Sequence, residues 1–390
     1  MKTVDAIIIG KNYSTSLGII KALGESGYGC AVIKLANQKP LFETPEVKSK
    51  YVVSYTYATM DDQSVLDTIN QYCGSKKKVI IPSDDYSASL LDRYYNELCE
   101  KFYVPNMGEV ANNISMFMDK HKQKEVAAAM GIRVAKCWSV EAKGADIQIP
   151  EDVIYPCYTK PQMSIGAPKT FIKKCDNPKE LKEQLNVINN EYPCQILVEE
   201  AVVVENEYTV PGISLAGNVI IPAFLRKVKI GSGKHKGVTV IGVVEDANKH
   251  SEIADKLKKM LAETNMTGIF DIELLESDGT FYLNEVNLRY GAAGYAVTSL
   301  GINLPGMYVD YLYEKESVCT NFIAENKVFV SEKAELDDYE AGFCSWREYR
   351  REIKQADIHF MYGKGDAPSK RAFKLLELKT RLKMILKSRR

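Results

Sequence analysis

The sequence lacks several features that would place it in common classes of protein. Its 390 residues hold 51 Lys and Arg against 51 Asp and Glu, and this zero net charge excludes a basic protein that binds nucleic acid through charge alone. No hydrophobic run approaches the roughly 18 residues that a membrane-spanning helix needs. The apolar stretch from Val4 to Ile9 is too short for a signal peptide. We therefore expect a globular, cytoplasmic protein.

Metal-thiolate and nucleophilic chemistry also find little support. The nine Cys are scattered without a Cys-x-x-Cys pair, and only four His accompany them. This pattern favours reduced, mostly buried thiols over a zinc site. No Ser/His/Asp or Cys/His arrangement stands out. His235 lies between Lys234 and Lys236, which favours an exposed loop residue over one that orients a substrate.

What the sequence does contain is an ordered series of strand and helix patterns. The first of them alternate buried strands with helices, which predicts an open α/β domain with a parallel sheet. The turn after the first strand, from Gly10 to Ser16, lacks the Gly-x-Gly-x-x-Gly fingerprint, so a nicotinamide enzyme is not indicated. Ser83-Asp84-Asp85 follows a later strand, where a ligand contact and a helix N-cap are both open interpretations.

Changes in pattern along the chain predict an α/β fold of three domains with a C-terminal tail. The predicted parts are an N-terminal open α/β domain (1–117), a small α+β lid domain (118–202), a larger α+β domain with an antiparallel sheet (203–325) and an extension (326–390).

A hairpin near the end of the third domain carries polar side chains in alternation. Its strands, Gly268 to Leu275 and Thr280 to Val286, flank a strong turn sequence at 276–279. Period 2 places Asp271 and Glu273 on one face of the first strand. On the second strand, Glu285, Asn287 and Arg289 share one face and Asn284 points the other way.

If Glu273 and Glu285 share a face, two carboxylates and the amide oxygen of Asn287 converge. Like charges at this distance repel unless a cation lies between them. An all-oxygen set of this kind suits Mg²⁺ that bridges substrate phosphates. A solvated sheet face with cross-strand Arg-Glu pairs is the alternative.

Together these features resemble the ATP-grasp superfamily over residues 1 to 320. A Lys opens the middle module, a second Lys lies on a strand, and a small-residue loop and an acidic hinge follow. The motif Asn284-Glu285-Val286-Asn287-Leu288-Arg289, with Leu300-Gly301-Ile302-Asn303-Leu304 after it, is similar to the carboxylate-amine ligase branch that includes D-aspartate ligases. The resemblance implies ATP as cosubstrate and Mg²⁺ as metal, with Mn²⁺ as an alternative ion.

The resemblance also implies roles for individual residues. Lys120 and Lys160 would hold the α- and β-phosphates, and a mobile loop containing Ser164, Gly166 and Lys169 would cover them. Adenine would contact Glu199, Glu200 and Val202, and the ribose would contact Glu207. The metal ligands would be Glu273, Glu285 and Asn287, and Arg289 would stabilise the acyl phosphate. Further candidates for the γ-phosphate or the substrate carboxylate are Arg226, Lys227 and Lys229.

The activity implied is an ATP-dependent ligase that joins a small-molecule carboxylate, through an acyl phosphate, to an amine. An amino acid or a cell-surface precursor is the expected substrate. Two alternatives stay open: an ATP-grasp enzyme of the carbamoyl-phosphate or purine-pathway type, and a non-catalytic nucleotide-binding regulator at a membrane. A homodimer is the default assembly from the frequency of such dimers.

The C-terminal tail has a charge of its own. Residues 364–390 hold ten basic against two acidic residues, and their apolar residues recur at spacings of three and four. This pattern predicts a basic amphipathic helix. Two interpretations stay open: the apolar face lies on an anionic membrane, or it docks on the body of the protein.

Overall fold

The computed structural model describes residues 3–38, 43–144, 146–166, 168–232, 237–316, 326–363 and 365–387. The strands in these ranges are β1 (Ala6–Gly10), β2 (Cys30–Leu35), β3 (Val52–Ala58), β4 (Lys78–Pro82), β5 (Phe102–Tyr103), β6 (Asn106–Met107), β7 (Arg133–Val134), β8 (Cys137–Ala142), β9 (Cys157–Pro161), β10 (Lys173–Cys175), β11 (Cys194–Glu200), β12 (Asn206–Leu215), β13 (Asn218–Ile220), β14 (Ala223–Ile230), β15 (Thr239–Asp246), β16 (Met266–Ser277), β17 (Thr280–Asn287), β18 (Lys327–Val330) and β19 (Ile358–His359).

The α-helices in the same ranges are α1 (Tyr13–Glu25), α2 (Asp62–Asn70), α3 (Asp85–Arg93), α4 (Tyr95–Leu98), α5 (Asn113–Phe117), α6 (Lys120–Ala129), α7 (Pro178–Glu191), α8 (Ser251–Glu263), α9 (Tyr295–Thr298), α10 (Leu304–Leu312), α11 (Glu332–Ala341), α12 (Trp346–Gln355) and α13 (Ala367–Lys387).

The N-terminal region forms the predicted parallel sheet, in the order β3-β2-β1-β4-β5. All positions of β1 and β2 are buried, as expected for parallel strands that are covered on both faces. Helices α1 and α3 begin just after β1 and β4, and Asn12 and Asp84 are their N-caps. Since β1 and β4 are neighbours, the two loops at their carboxyl ends lie side by side.

A small antiparallel sheet forms the second layer, in the order β10-β9-β11-β8. Helix α7 covers it with Leu181, Leu185 and Ile188, which are fully buried and follow helical spacing. Asn177 caps this helix and Pro178 occupies its first turn, both favoured choices at a helix start. The small sheet carries three candidate site residues on adjacent strands, Lys160 on β9 and Glu199 and Glu200 on β11.

The third layer is a ten-stranded sheet with the path β19-β18-β15-β14-β12-β16-β17-β7. Off this path, β13 pairs with β12 and β6 pairs with β16. Its centre is the predicted hairpin of β16 and β17 and the long neighbour β12. One face packs on α8 around Leu257, Met260 and Phe270. The predicted α/β fold with parallel and antiparallel sheets is confirmed.

The segments on either side of the predicted boundary at 325/326 share one sheet. β18 pairs with β15, and β19 pairs with β18, so the C-terminal extension adds two strands to the large sheet. Strand pairing between segments so far apart in sequence has no local signal, which is why the pattern missed it. The boundary at 117/118 stays a prediction, and α6, the helix that follows it, contacts β17 of the large sheet as well as β8 of the small one.

The C-terminal tail forms the predicted helix, α13. It docks through Phe373, Glu377 and Thr380, which are buried. Tyr349 and Tyr362 both donate hydrogen bonds to the Glu377 carboxylate. In the described part of the chain, no helix is long and apolar enough to cross a membrane.

Candidate active site

Two carboxylates lie directly opposite each other on the β16–β17 hairpin. The register pairs Glu273 with Glu285 and Asp271 with Asn287, so the predicted alternation brings these four side chains to one face. Glu273 and Glu285 are partly exposed, whereas Asp271 and Asn287 are buried. Oxygen donors from two strands therefore converge on one patch of the sheet.

Glu285 is held by groups from two other elements. Ser164 donates to its carboxylate at 2.6 Å, and Lys120, the first residue of α6, lies 3.2 Å away. Burial alone would raise the pKa of Glu285, but Lys120 and Ser164 outweigh it and lower that pKa to about 2. Glu285 is therefore ionised throughout the physiological range, as a metal ligand must be.

Asp271 has the opposite electrostatic setting. Burial raises the pKa of its carboxyl to about 6, although Thr209 donates a hydrogen bond to it and the charge of Arg289 acts to lower it. The Thr209 bond is 2.7 Å long. Two neighbouring carboxylates on one sheet face thus differ widely in proton affinity, and Glu285 is the better cation ligand.

Lys160 joins the small sheet to this face. Its ammonium lies 2.9 Å from Glu199 on β11 and 2.8 Å from the Asn284 amide oxygen on β17. Asn284 in turn donates to Glu273 at 3.4 Å. The two sheets therefore meet through a polar chain that ends at the metal-ligand candidates.

The orientation predicted for Asn284 is wrong. The ladder shifts register between Glu273 and Leu274, so that Leu274 opposes Leu283 and Asn284 becomes the extra residue of a bulge. A bulge turns a side chain that strict alternation would send to the other face. Asn284 is therefore a site residue that the sequence pattern missed.

Glu199 lies near the end of β11, in the segment 199–202 that we call the hinge because it leads from the small sheet to the large one. It is buried and has two cationic neighbours. Lys124 lies 3.0 Å from its second carboxylate oxygen. Burial alone would raise the pKa of Glu199, but Lys160 and Lys124 together lower it. The Glu199 side chain is thus engaged with lysines. Lys124 was missed, although it lies one helical turn after Lys120 on α6, a spacing that places both on one helix face.

The rest of the hinge connects the two sheets. The Glu200 carboxylate accepts a hydrogen bond from the Lys136 backbone N–H at 2.8 Å, and the Ala201 N–H donates to Pro156. Val202 follows in the irregular segment between β11 and β12. This segment joins β11 of the small sheet to β12 of the large sheet.

Lys227 belongs to the same sheet face as the acidic hairpin. Its ammonium lies 3.3 Å from Glu207 and 3.5 Å from Glu273, and only 4% of its side chain is exposed. Burial acts to lower the pKa of Lys227, but Glu273 and Glu207 outweigh it and the pKa is raised. A permanently charged lysine therefore stands next to Glu273.

Arg289 ties this face to the N-terminal sheet. It donates to Asp85 at 3.0 Å and to the Asn287 side chain at 3.2 Å. Asp84, the residue before Asp85, is the N-cap of α3. The N-cap interpretation of Ser83-Asp84-Asp85 is therefore confirmed for Asp84, whereas the ligand contact stays a prediction.

Two predicted residues lie away from this cluster. Arg226 points to the opposite face of β14, where it pairs with Glu245 at 2.7 Å, because it alternates with Lys227. Lys229 lies 2.8 Å from Glu335 and 2.6 Å from Glu352, because a register shift after Lys227 and the packing of α11 and α12 direct it there. Both side chains therefore lie away from the Glu273–Glu285 pair.

The structure describes part of the loop, residues 164–169, that is predicted to cover the phosphates. Ser164 and Gly166 lie at its start, and Gly166 has a φ of +96°, a conformation that glycine adopts without strain. Ser164 also accepts a hydrogen bond from Lys120 at 2.9 Å. The Lys169 side chain lies outside the description, although its backbone forms a short 3-10 turn. Lys234, His235 and Lys236 fall in a range that is not described.

The donor set fits Mg²⁺ better than a metal held by protein alone. Among the described residues, no group of three or more His, Cys, Asp and Glu side chains could hold a metal ion. Mg²⁺ is commonly bound by one or two carboxylates together with substrate phosphates. Glu273, Glu285 and Asn287 supply that partial set, and Lys120, Lys160 and Lys227 supply positive charge around it.

Comparison with known proteins finds similarity to the same family that the sequence motifs resemble. Residues 125–302 match the model of the ATP-grasp domain. A D-alanine–D-alanine ligase of Geobacillus thermodenitrificans is 27% identical over 222 residues, which are 52% of this chain and 59% of that protein. The chain therefore spans less than two thirds of this relative.

Two solved structures share the fold at low identity. An N5-carboxyaminoimidazole synthetase from Staphylococcus aureus has a TM-score of 0.62 at 19% identity, over 88% of this chain and 86% of that one. An L-amino acid ligase from Bacillus licheniformis has a TM-score of 0.61 at 16% identity, over 84% and 79%. The family match includes the acidic hairpin and these structures share the fold, so residues 125–302 are similar to the ATP-grasp domain.

Proposed function

We propose that the protein is an ATP-dependent ligase that forms an amide from a carboxylate and an amine. One observation carries the proposal: lysines from three separate elements converge on the Glu273–Glu285 pair. Lys120 of α6 and Lys227 of β14 lie beside it, and Lys160 of β9 reaches it through Asn284. Separate cations around a carboxylate pair suit a polyphosphate with its metal.

The nucleotide is proposed to lie in the cleft between the small and large sheets. Lys120 and Lys160 would bind its α- and β-phosphates, and the loop from Ser164 through Gly166 would close over them. The backbone at Glu199, Glu200 and Val202 would contact adenine, while the Glu199 side chain holds Lys160 in place. Glu207, which lies on β12 beside Lys227 of β14, would bind the ribose.

ATP-grasp proteins generally use Mg²⁺ with ATP, and Glu273, Glu285 and Asn287 would hold it here. When bound, the ion would neutralise charge on the phosphates and polarise the γ-phosphorus. Mn²⁺ suits the same oxygen donors.

The first chemical step would be attack of the substrate carboxylate oxygen on the γ-phosphorus. The new O–P bond forms as the bond to the β-phosphate oxygen breaks, which yields an acyl phosphate and ADP. Lys227 and Arg289 would stabilise the charge that develops on the transferred group, as positioned cations do in phosphoryl transfer.

In the second step the amine would attack the acyl carbon. The C–N bond forms, the C–O bond to phosphate breaks, and the nitrogen releases its proton to phosphate or water. An amino acid or a cell-surface precursor is the proposed substrate class, in keeping with the two amino-acid ligases among the similar proteins. We also propose that the enzyme acts in the cytosol and that its C-terminal helix brings it to a membrane.

The test is ADP and phosphate release from MgATP with single amino acids, pairs of amino acids and bicarbonate. Turnover that needs a carboxylate and an amine together is the expected result. Glu285→Gln is expected to lower it at least about a hundredfold, since a charged ligand is lost. Glu245→Gln, on the opposite face of the same sheet, is the matched control and is expected to retain activity.

Stimulation by bicarbonate alone would instead indicate a carboxylating ATP-grasp enzyme. Nucleotide binding without turnover for any addition would contradict the ligase proposal.

A further inference from the structure

Helix α13 has two apolar faces on opposite sides. One face, with Phe373, Leu376 and Met384, packs against the cluster around Tyr349 and Ile353. The sequence pattern predicts a single apolar face because it merges both sets of residues. The structure separates them.

The second apolar face points away from the protein. Its members are leucines that are each at least half exposed: Leu375 (60%), Leu378 (52%), Leu382 (52%) and Leu386 (63%). They are three, four and four residues apart, so 3.6 residues per turn aligns them into one stripe. The stripe runs along three turns of the helix, whereas scattered exposed leucines would need no explanation. We call this set the outer stripe.

Cations flank the outer stripe on both sides. At 100° per residue, Lys374 lies on one side of Leu378 and Lys379 on the other. Arg371 continues the stripe toward the start of the helix, and these three residues are exposed. Long basic side chains next to an apolar stripe can keep their charges in water or among headgroups while the leucines are buried.

Acidic side chains are missing from the outer surface of α13. Glu377 is the only acid between residues 367 and 387, and it is 6% exposed and faces the protein. The range also holds seven Lys and Arg. The outer surface therefore combines leucine with positive charge alone.

This combination decides between a second copy of the chain and a lipid surface. Two α13 helices packed stripe to stripe would bring lysines of one copy against lysines of the other, which is unfavourable without acidic partners. An anionic membrane surface attracts those same lysines and receives the leucines at the boundary of its acyl chains.

We propose that α13 binds anionic membranes through the outer stripe, with the helix in the plane of the interface. The docked face holds the helix rigidly on the protein, so binding requires no folding of the helix. The proposal is independent of the ligase activity, because no residue of the outer stripe contacts the candidate active site.

The test uses the full chain and vesicles of phosphatidylcholine with or without phosphatidylglycerol. The protein is expected to sediment with the anionic vesicles and to be released at about 1 M salt, where charges are screened beyond about 3 Å. Leu378→Ser/Leu382→Ser/Leu386→Ser is expected to lower the partition coefficient at least about tenfold.

The matched control removes three scattered exposed apolar side chains, Val53→Ser/Val110→Ser/Phe343→Ser, and is expected to bind like the wild type. Lys374→Gln/Lys379→Gln is a second variant that leaves all leucines in place and is expected to weaken binding to anionic vesicles only. An unchanged melting temperature shows that each variant folds.

Three outcomes would overturn the proposal. The first is no sedimentation with either vesicle, and the second is equal sedimentation of the wild type and the stripe variant. The third is a dimer, measured by light scattering, that the stripe variant converts to a monomer, since this would assign the outer stripe to a second copy.

Discussion

Replacing Glu199 with Gln would test the charge arrangement at the hinge. The Glu199 side chain is buried at 3% exposure, and its two oxygens lie 2.9 Å from Lys160 and 3.0 Å from Lys124. Glutamine has nearly the same shape, so the substitution removes the charge and leaves two lysines without an anionic partner. The perturbation is therefore electrostatic rather than steric.

The expected loss follows from the burial of the three groups. Removing one partner of a buried ion pair costs roughly 3 to 5 kcal/mol, because the other charge remains buried. Here 3% of the Lys124 side chain and 16% of the Lys160 side chain are exposed. Both lysines keep neutral acceptors, the Leu283 carbonyl and the Asn284 amide. We therefore expect the lower limit, about 3 kcal/mol.

The assay is urea unfolding of the two single variants Glu199→Gln and Glu200→Gln. Glu200 is the control, since its carboxylate accepts one backbone hydrogen bond and its loss should cost only about 1 kcal/mol. The double variant Glu199→Gln/Lys124→Met should lose less unfolding free energy than the sum of the losses for Glu199→Gln and Lys124→Met. It removes the Lys124 charge that Glu199→Gln leaves without an anionic partner. A Glu199→Gln loss no larger than that of Glu200→Gln would refute the reasoning.

Three further predictions test other parts of the structure. Burial raises the pKa of Asp271 from the usual 3.8 to about 6, so between these values the native state holds a proton that the unfolded state has lost. Relative to Asp271→Asn, the unfolding free energy of the wild type should fall by about 2 kcal/mol from pH 4 to 7, and a difference that stays flat with pH would contradict this. Asp85→Asn should lower kcat about tenfold with little change in the KM for ATP, because Asp85 positions Arg289; steady-state kinetics measure both, and a change confined to KM would argue against it. Lys229→Met should lower the unfolding free energy by about 2 kcal/mol, since it leaves Glu335 buried without a cation, but ADP release should stay unchanged. Loss of activity in a fully folded variant would show that Lys229 takes part in the reaction.

Much of the sheet face that carries Glu273 and Glu285 could be predicted from the sequence because strand alternation is a local property. The positions of Glu273, Glu285 and Asn287 on one face followed from period 2 and from one strong turn. The same alternation separates Lys227 from Arg226, of which only Lys227 lies on that face. The sequence contains no signal for the facing of β14 until its partner strand is known.

The rest of the site depends on contacts between distant segments. Asn284 reaches Lys160 only because of a bulge, and Asp85 reaches Arg289 only because two sheets meet. The roles of individual residues in nucleotide binding remain predictions, since placement alone leaves them untested. Two opposite apolar faces on α13 likewise look like one face until the protein that covers half of them is known.

The pairing of β18 with β15 has a practical consequence for dividing the chain. The family match ends at residue 302, whereas β18 begins at Lys327. A fragment that stops between them would leave β15 as an open edge, with N–H and C=O groups ready to pair with another chain. Such a fragment is expected to aggregate by strand addition. The smallest unit that folds alone therefore extends beyond the part of the sequence that marks the family.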